Sequence, residues 1–174
     1  MEFHPSIAIP LLERTPAILS VMLRDLPKEL TAANEGPDTW SPYDIIGHLI
    51  WGEKTDWIPR ARIILSDDPE KNFQPFDRFA QFRESKGKSL TDLLNEFAQL
   101  RKANITLLNE MNLLPADLDK TGIHPVFGEV SMSQLLSAWV VHDLNHLGQV
   151  SRVMAVQYKE SVGPWIEYLG ILQR

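Results

Sequence analysis

Two histidines stand four residues apart in the stretch HDLNH, residues 142–146, inside a segment otherwise rich in Leu, Val and Met. On a helix, at about 100° per residue, His142 and His146 are only about 40° apart, so both imidazoles can approach one ion from the same side. The same spacing suits two core histidines, each neutral and hydrogen-bonded to a neighbour, and HxxxH alone leaves the two readings evenly matched. A third histidine, His48, lies in IIGHLIWGE among apolar residues, where a charged or unpaired imidazole is costly. His4, near the terminus, and His124, ahead of Pro125 in a turn-rich stretch, suit solvated or structural roles. Three imidazoles with one or more open positions form an arrangement that zinc and other borderline divalent ions such as nickel and iron favour. His48, His142 and His146 are therefore the candidate metal ligands, each expected to donate a second hydrogen bond that fixes its tautomer.

Their neighbours on the same segments are weaker candidates. Asn145 and Gln149 lie within about one helical turn of the histidine pair and could support it, or could be ordinary polar packing. Asp143 follows the first histidine, where the HExxH metalloproteases place a general base. Its carboxylate is a methylene shorter and about 100° round the helix from His142, so exposure is the expectation. Glu53, about 140° from His48, is not an obvious ligand, whereas Gly52 and Thr55 lie nearer the His48 stripe. Of the five tryptophans, Trp139 could wall a metal cavity, while Trp40, Trp51, Trp57 and Trp165 read more simply as core or cap residues, and core packing is the favoured reading for all five. Arg60, Arg62 and Arg152 could meet an anionic ligand, although paired or solvated arginines are commoner. No catalytic residue is assigned.

Composition narrows the chemistry. The chain has no cysteine, so any metal must use His, Asp or Glu, and no thiol nucleophile or disulfide is available from these residues. A formal charge of −6 argues against a nucleic-acid footprint and leaves a small-molecule or protein partner as the expectation. No segment approaches the roughly 20 consecutive apolar residues of a bilayer span, and no leader pattern is visible, so no membrane partner and a cytoplasmic location are expected. With 174 residues and ordinary globular composition, residues 1–174 are expected to form one domain.

Positioning three ligands falls to helices. Thr15-Pro16 reads as an N-cap and first helical residue, leading to Ile18, Leu19, Met22, Leu23 and Leu26 at helical spacing. Ser41-Pro42-Tyr43-Asp44 starts a second helix, expected to run to about Leu65, with Pro59 kinking it or limiting its regularity. Residues 67–88 read as a long polar crossover. Ser89-Leu90-Thr91-Asp92 opens a third helix with an apolar stripe through Leu93, Leu94, Phe97, Leu100, Ile105, Leu107 and Leu108. The stretch DKTGIHPVFGEVS fits a short hairpin, and Ser131-Met132-Ser133-Gln134 caps a last long helix ended by Gly163-Pro164. On that helix Leu136, Val140, Leu144 and Leu147 are taken as the apolar sector. Gly47 and Gly148, each costing about 1 kcal/mol against Ala inside a helix, mark either close helix approach or tolerated defects. Four long helices with one long crossover indicate an all-α four-helix bundle, a class that builds metal sites from inward-facing side chains.

TWSPYDIIGHL, the hairpin HPVFGEVS and the helix LLSAWVVHDLNHLGQVSRVMA together resemble the DinB-like superfamily with its YfiT-type metalloenzymes, and the likeness extends from the first helix to the VGPWIEYL tail. The resemblance implies an up-down-down-up bundle with a divalent metal on His48, His142 and His146. It also implies a metal-dependent transferase that uses a low-molecular-weight thiol such as bacillithiol or mycothiol against a small electrophile, and a possible homodimer. In such an enzyme the ion binds the thiol and lowers its pKa, so a chain without cysteine runs thiol chemistry. The alternatives are hydrolysis by water activated on the ion, or a non-catalytic bundle holding a structural ion or none.

Overall fold

The computed structural model describes residues 3–173. Its helices are α1 (Pro5–Leu23), α2 (Lys28–Thr31), α3 (Pro42–Thr55), α4 (Trp57–Leu65), α5 (Ala80–Glu84), α6 (Leu90–Glu110) and α7 (Met132–Val156). Strands β1 (Thr121–His124) and β2 (Gly128–Ser131) form an antiparallel hairpin before α7, and short 3₁₀ turns follow it. Three long helices begin as their sequences dictate. Ser41, Ser89 and Ser131 each accept from the backbone N–H three residues on, and Asp44, Asp92 and Gln134 reach back to the cap.

Four long rods, with α3 and α4 counted as one, form the bundle. On one side α6 packs against α1, with Arg24 reaching Asn95 and Arg101 reaching Leu12, so these two run antiparallel. On its other side α6 packs against α3, where Lys54 bonds Glu96 and Asn104 bonds Glu53. This pair is parallel, which is why a long crossover must separate them. Helix α7 closes the ring antiparallel to α3, giving up-down-down-up. The crossover is tied down where Phe73 N–H bonds Ile123 O and Ile123 N–H bonds Lys71 O, and α5 packs on α3.

Three expectations are corrected and one is met. Helix α1 begins at Pro5, not at Pro16, and runs through Pro10 and Pro16; Thr15 is buried inside it, its hydroxyl bonded to Leu11 O. Each proline removes one helical N–H, and here the surrounding bundle holds the helix together regardless. The earlier start joins two apolar runs, so α1 is long and apolar enough to cross a membrane by length and composition alone, with mean hydropathy 1.4. It nevertheless carries Glu13 and Arg14 mid-helix and buries Leu12, Leu19 and Leu23 against the bundle. The second long helix loses its regularity at Asp56 (φ −103°, ψ −70°), as Pro59 predicts, because Pro59 offers no N–H to Thr55 O and crowds it. Helix α7 stops at Val156, ahead of Gly163.

The apolar core falls into two clusters. One gathers Leu12, Trp57, Ile58, Ile105, Leu136 and Trp139; the other Leu19, Ile46, Leu49, Phe97, Val150 and Val153. Between these two sets along every long helix lie buried polar side chains: Thr15, Glu53, Arg101, Asn104, Asp143 and His146. The core is split by a polar layer.

Candidate metal centre

His48 comes from the second turn of α3, and His142 and His146 from the middle of α7, so the antiparallel packing of these helices brings the three imidazoles together. His142 Nε2 stands 3.0 Å from His48 Nε2 and 3.1 Å from His146 Nε2. Two nitrogens sharing one zinc at about 2.0–2.1 Å are roughly 3.0–3.4 Å apart at ordinary coordination angles, so the spacing fits a shared ion. His146 Nδ1–H donates to Gln149 Oε1 at 2.7 Å, which leaves the Nε2 lone pair facing the other two rings. Nδ1 of His48 and of His142 are buried with no partner among the described residues, so only one of the three expected second hydrogen bonds is found.

Burial keeps all three rings neutral, the form that ligates. It pulls His48 down to about 3, helped by His146 and Arg78, and His142 down to about 2, helped by the other two histidines and Arg101. His146 is also lowered by burial, partly offset by its bond to Gln149 and by the Asp143 carboxylate. The rings are held by aromatic neighbours: Trp40 lies 4.7 Å from His48, Phe76 5.3 Å from His48, and Trp57 5.2 Å from His142.

The histidines line a cleft of about 900 Å³. Its walls include Trp40, Trp57, Phe79, Phe82, Asn145 and Gly52. Arg60 and Arg152 line it too, but each is engaged, Arg60 with Asp56 at 3.0 Å and Arg152 bidentately with Glu35 at 2.7 and 2.9 Å. Burial lifts the Asp56 carboxyl to about 6 despite Arg60. Arg62 and Thr55 do not line the cleft. Arg78, a residue without a sequence signal, reaches it with no ion pair among the described residues. His124 stands at the rim, where its Nδ1 accepts from Val126 and Phe127 N–H, a structural role as expected.

Beneath the histidines the structure departs furthest from the sequence reading. Asp143 is 2% exposed, not on the surface. Its carboxylate takes Arg101 Nη1 at 2.5 Å and Nη2 at 2.9 Å. Glu53 Oε1 takes Arg101 Nη2 at 2.8 Å and Nε at 3.1 Å, and also Trp139 Nε1–H at 3.0 Å. Asn104 donates to Glu53 Oε2 at 2.9 Å. Trp139 therefore lies below the site, stacked on Trp57 at 5.7 Å, and it is Trp40 and Trp57 that wall the cleft. Trp165 is 70% exposed, neither core nor cap.

Arg101 and Asn104 were visible in principle. They occupy positions 101 and 104 of the buried stripe Leu93, Phe97, Arg101, Asn104, Leu108, where apolar residues belong. Likewise α7 buries Met132, Leu136, Trp139, Asp143, His146, Val150 and Val153, so Asp143 is on the core stripe and Leu144 is 51% exposed.

Among solved structures the fold is similar to that of YfiT from Bacillus subtilis, described as a probable metal-dependent hydrolase with an unusual four-helix bundle topology. That match has a TM-score of 0.71 at 18% identity, over 90% of this chain and 87% of that one. It is also similar to TT2238, a four-helix bundle protein, at TM-score 0.55 and 22% identity over 85% of this chain and 98% of that one. Identities this low carry the fold alone. No curated protein sequence matches the chain. The family model of the DinB superfamily matches residues 11–150, a span that runs from Leu11 in α1 to Val150 in α7 and holds all three clustered histidines, and the chain belongs to the DinB superfamily.

Proposed function

We propose that the chain is a divalent-metal enzyme acting on a small molecule, with His48, His142 and His146 holding zinc, nickel or iron(II) at the cleft. One observation carries the reading: three neutral Nε2 atoms from two helices converge within ligand range beside a cleft large enough for a small molecule. When bound, such an ion lowers the pKa of a ligated thiol or water. The chain's own residues do the rest. Gln149 keeps the proton on Nδ1 of His146, Trp40 and Trp57 shield the flanks from water, and Arg78 offers a cation to an acidic group on the incoming molecule.

The reaction assigned first is transfer of a low-molecular-weight thiol to a small electrophile. Its support is the family resemblance, room in the cleft for both reactants, and the absence of cysteine, which requires the thiol to arrive from solution. Hydrolysis is the second reading, favoured by the likeness to YfiT.

Metal analysis of protein purified without chelator or metal-affinity tag should find about one divalent ion per chain. Trace metal with no rebinding would sink the proposal. Metal-dependent, stoichiometric consumption of thiol and electrophile, abolished in His142→Ala, supports transfer; turnover with no thiol present reassigns the enzyme to hydrolysis.

A further inference from the structure

The Arg101 guanidinium lies near the centre of the bundle, 1% exposed, and touches each of the other three rods. From α6 it donates to Glu53 on α3, to Asp143 on α7 and, through Nη1 at 2.7 Å, to Leu12 O on α1. Leu12 O is available because the residue four positions on is Pro16, which has no N–H to give it. Phe97 and Trp139 flank the guanidinium, 5.0 and 5.1 Å from its carbon. Arg101 stays protonated: burial alone would lower it, but the two carboxylates hold it above its ordinary value.

Stability does not explain such a cluster. Removing three charges from water is costly, and well-packed apolar residues of similar volume commonly do as well or better. What apolar residues cannot supply is a defined register, because Leu against Leu tolerates sliding, whereas a forked cation between two carboxylates does not. Both carboxylates are on the ligand helices. Glu53 is one and a half turns beyond His48 on α3; Asp143 directly follows His142 on α7.

We propose that Arg101 is a positioning residue of the metal centre: by clamping Glu53 and Asp143 it fixes the register of α3 against α7, and with it the spacing of His48 from His142 and His146. The role rests on the metal-site reading above. A site of this kind tolerates misplacement of only about half an ångström, which makes a register clamp consequential.

The test compares metal-free full-length wild type with two variants. One is Arg101→Lys, which keeps the charge but cannot fork to both carboxylates. The other is Trp139→Phe, which removes the N–H given to Glu53 and keeps an aromatic, though smaller, side chain at this buried position. Zinc affinity is measured by chelator competition well below each melting temperature, and the cobalt-substituted proteins give a ligand-field spectrum. Expected are a 10- to 100-fold loss of zinc affinity in Arg101→Lys, a smaller loss in Trp139→Phe, and an altered cobalt spectrum in both. A merely structural role would lower the melting temperature while leaving the affinity and spectrum of the folded protein unchanged, and that result overturns the proposal. Should Arg101→Lys fail to fold, unchanged affinity in Trp139→Phe overturns it equally. Wild type that binds no zinc refutes the metal reading itself, whereas wild type and variants that bind alike refute only the clamp.

Discussion

At His146 one neighbour sets the tautomer, since Gln149 Oε1 can only accept and so holds the proton on Nδ1. Gln149→Ala frees that proton to sit on either nitrogen, and zinc affinity measured by chelator competition should fall roughly tenfold. His48 and His142 lack such a partner, and their neutrality comes from burial. That has a measurable consequence for the metal-free protein. Unfolded histidine titrates near 6.5, whereas folded His48 and His142 titrate near 3 and 2, so between pH 6.5 and about 3 the unfolded chain binds more protons. Stability is therefore lost as pH falls through this window. Asp56, raised from 3.8 to about 6, and Glu53, also raised by burial, act in the opposite sense, whereas His146, lowered by burial like the other two histidines, adds to the loss. Urea midpoints of the chelated protein should fall from pH 7 to pH 4 with a net slope of about 1 kcal/mol per pH unit. A flat profile would show the rings to be less buried than described.

Among the elements, three long helix starts were legible, whereas the start of α1, where His4 makes no side-chain cap, and the phase of α7 were not. Ser-Pro-x-Asp, Ser-x-x-Asp and Ser-x-x-Gln each form their capping boxes because this chemistry is complete within four residues. The phase of α7 differs by about one residue from its apolar pattern: Asp143 is inward and Leu144 outward, because Arg101 receives the carboxylate from another helix. Gly47 and Gly148 separate the same way. A Cβ on Gly47 would lie 2.4 Å from Ser85 Oγ and 3.0 Å from Gln81 Cβ, so α5 relies on its absence. Nothing stands within 4 Å of a Cβ on Gly148. Gly47→Ala should destabilise by about 1–3 kcal/mol through that clash. Gly148→Ala should stabilise by about 0.5–1 kcal/mol through helix propensity, and urea unfolding of the pair distinguishes the two roles.

For the molecule as a whole, an ion on ligands from α3 and α7 is a cross-link between two rods that are far apart in sequence. Zinc at about 100 times its dissociation constant should add about 2.7 kcal/mol, which for a chain of this length raises the melting temperature by roughly 5–10 °C. Scanning calorimetry with and without zinc measures the shift. His142→Ala should abolish it while leaving the apo transition cooperative, because two further clusters of buried apolar residues hold the bundle.

By itself the sequence determined the bundle, its long crossover and hairpin, and which three of five histidines lie together, because helical periodicity, caps and the apolar surroundings of His48, His142 and His146 are local properties. Only the tertiary structure decided where Glu53, Arg101, Asn104 and Asp143 point. A buried charge is tolerable only when its partner arrives from another helix, and Arg101 lies 48 residues from Glu53 and 42 from Asp143, a separation that no local pattern bridges.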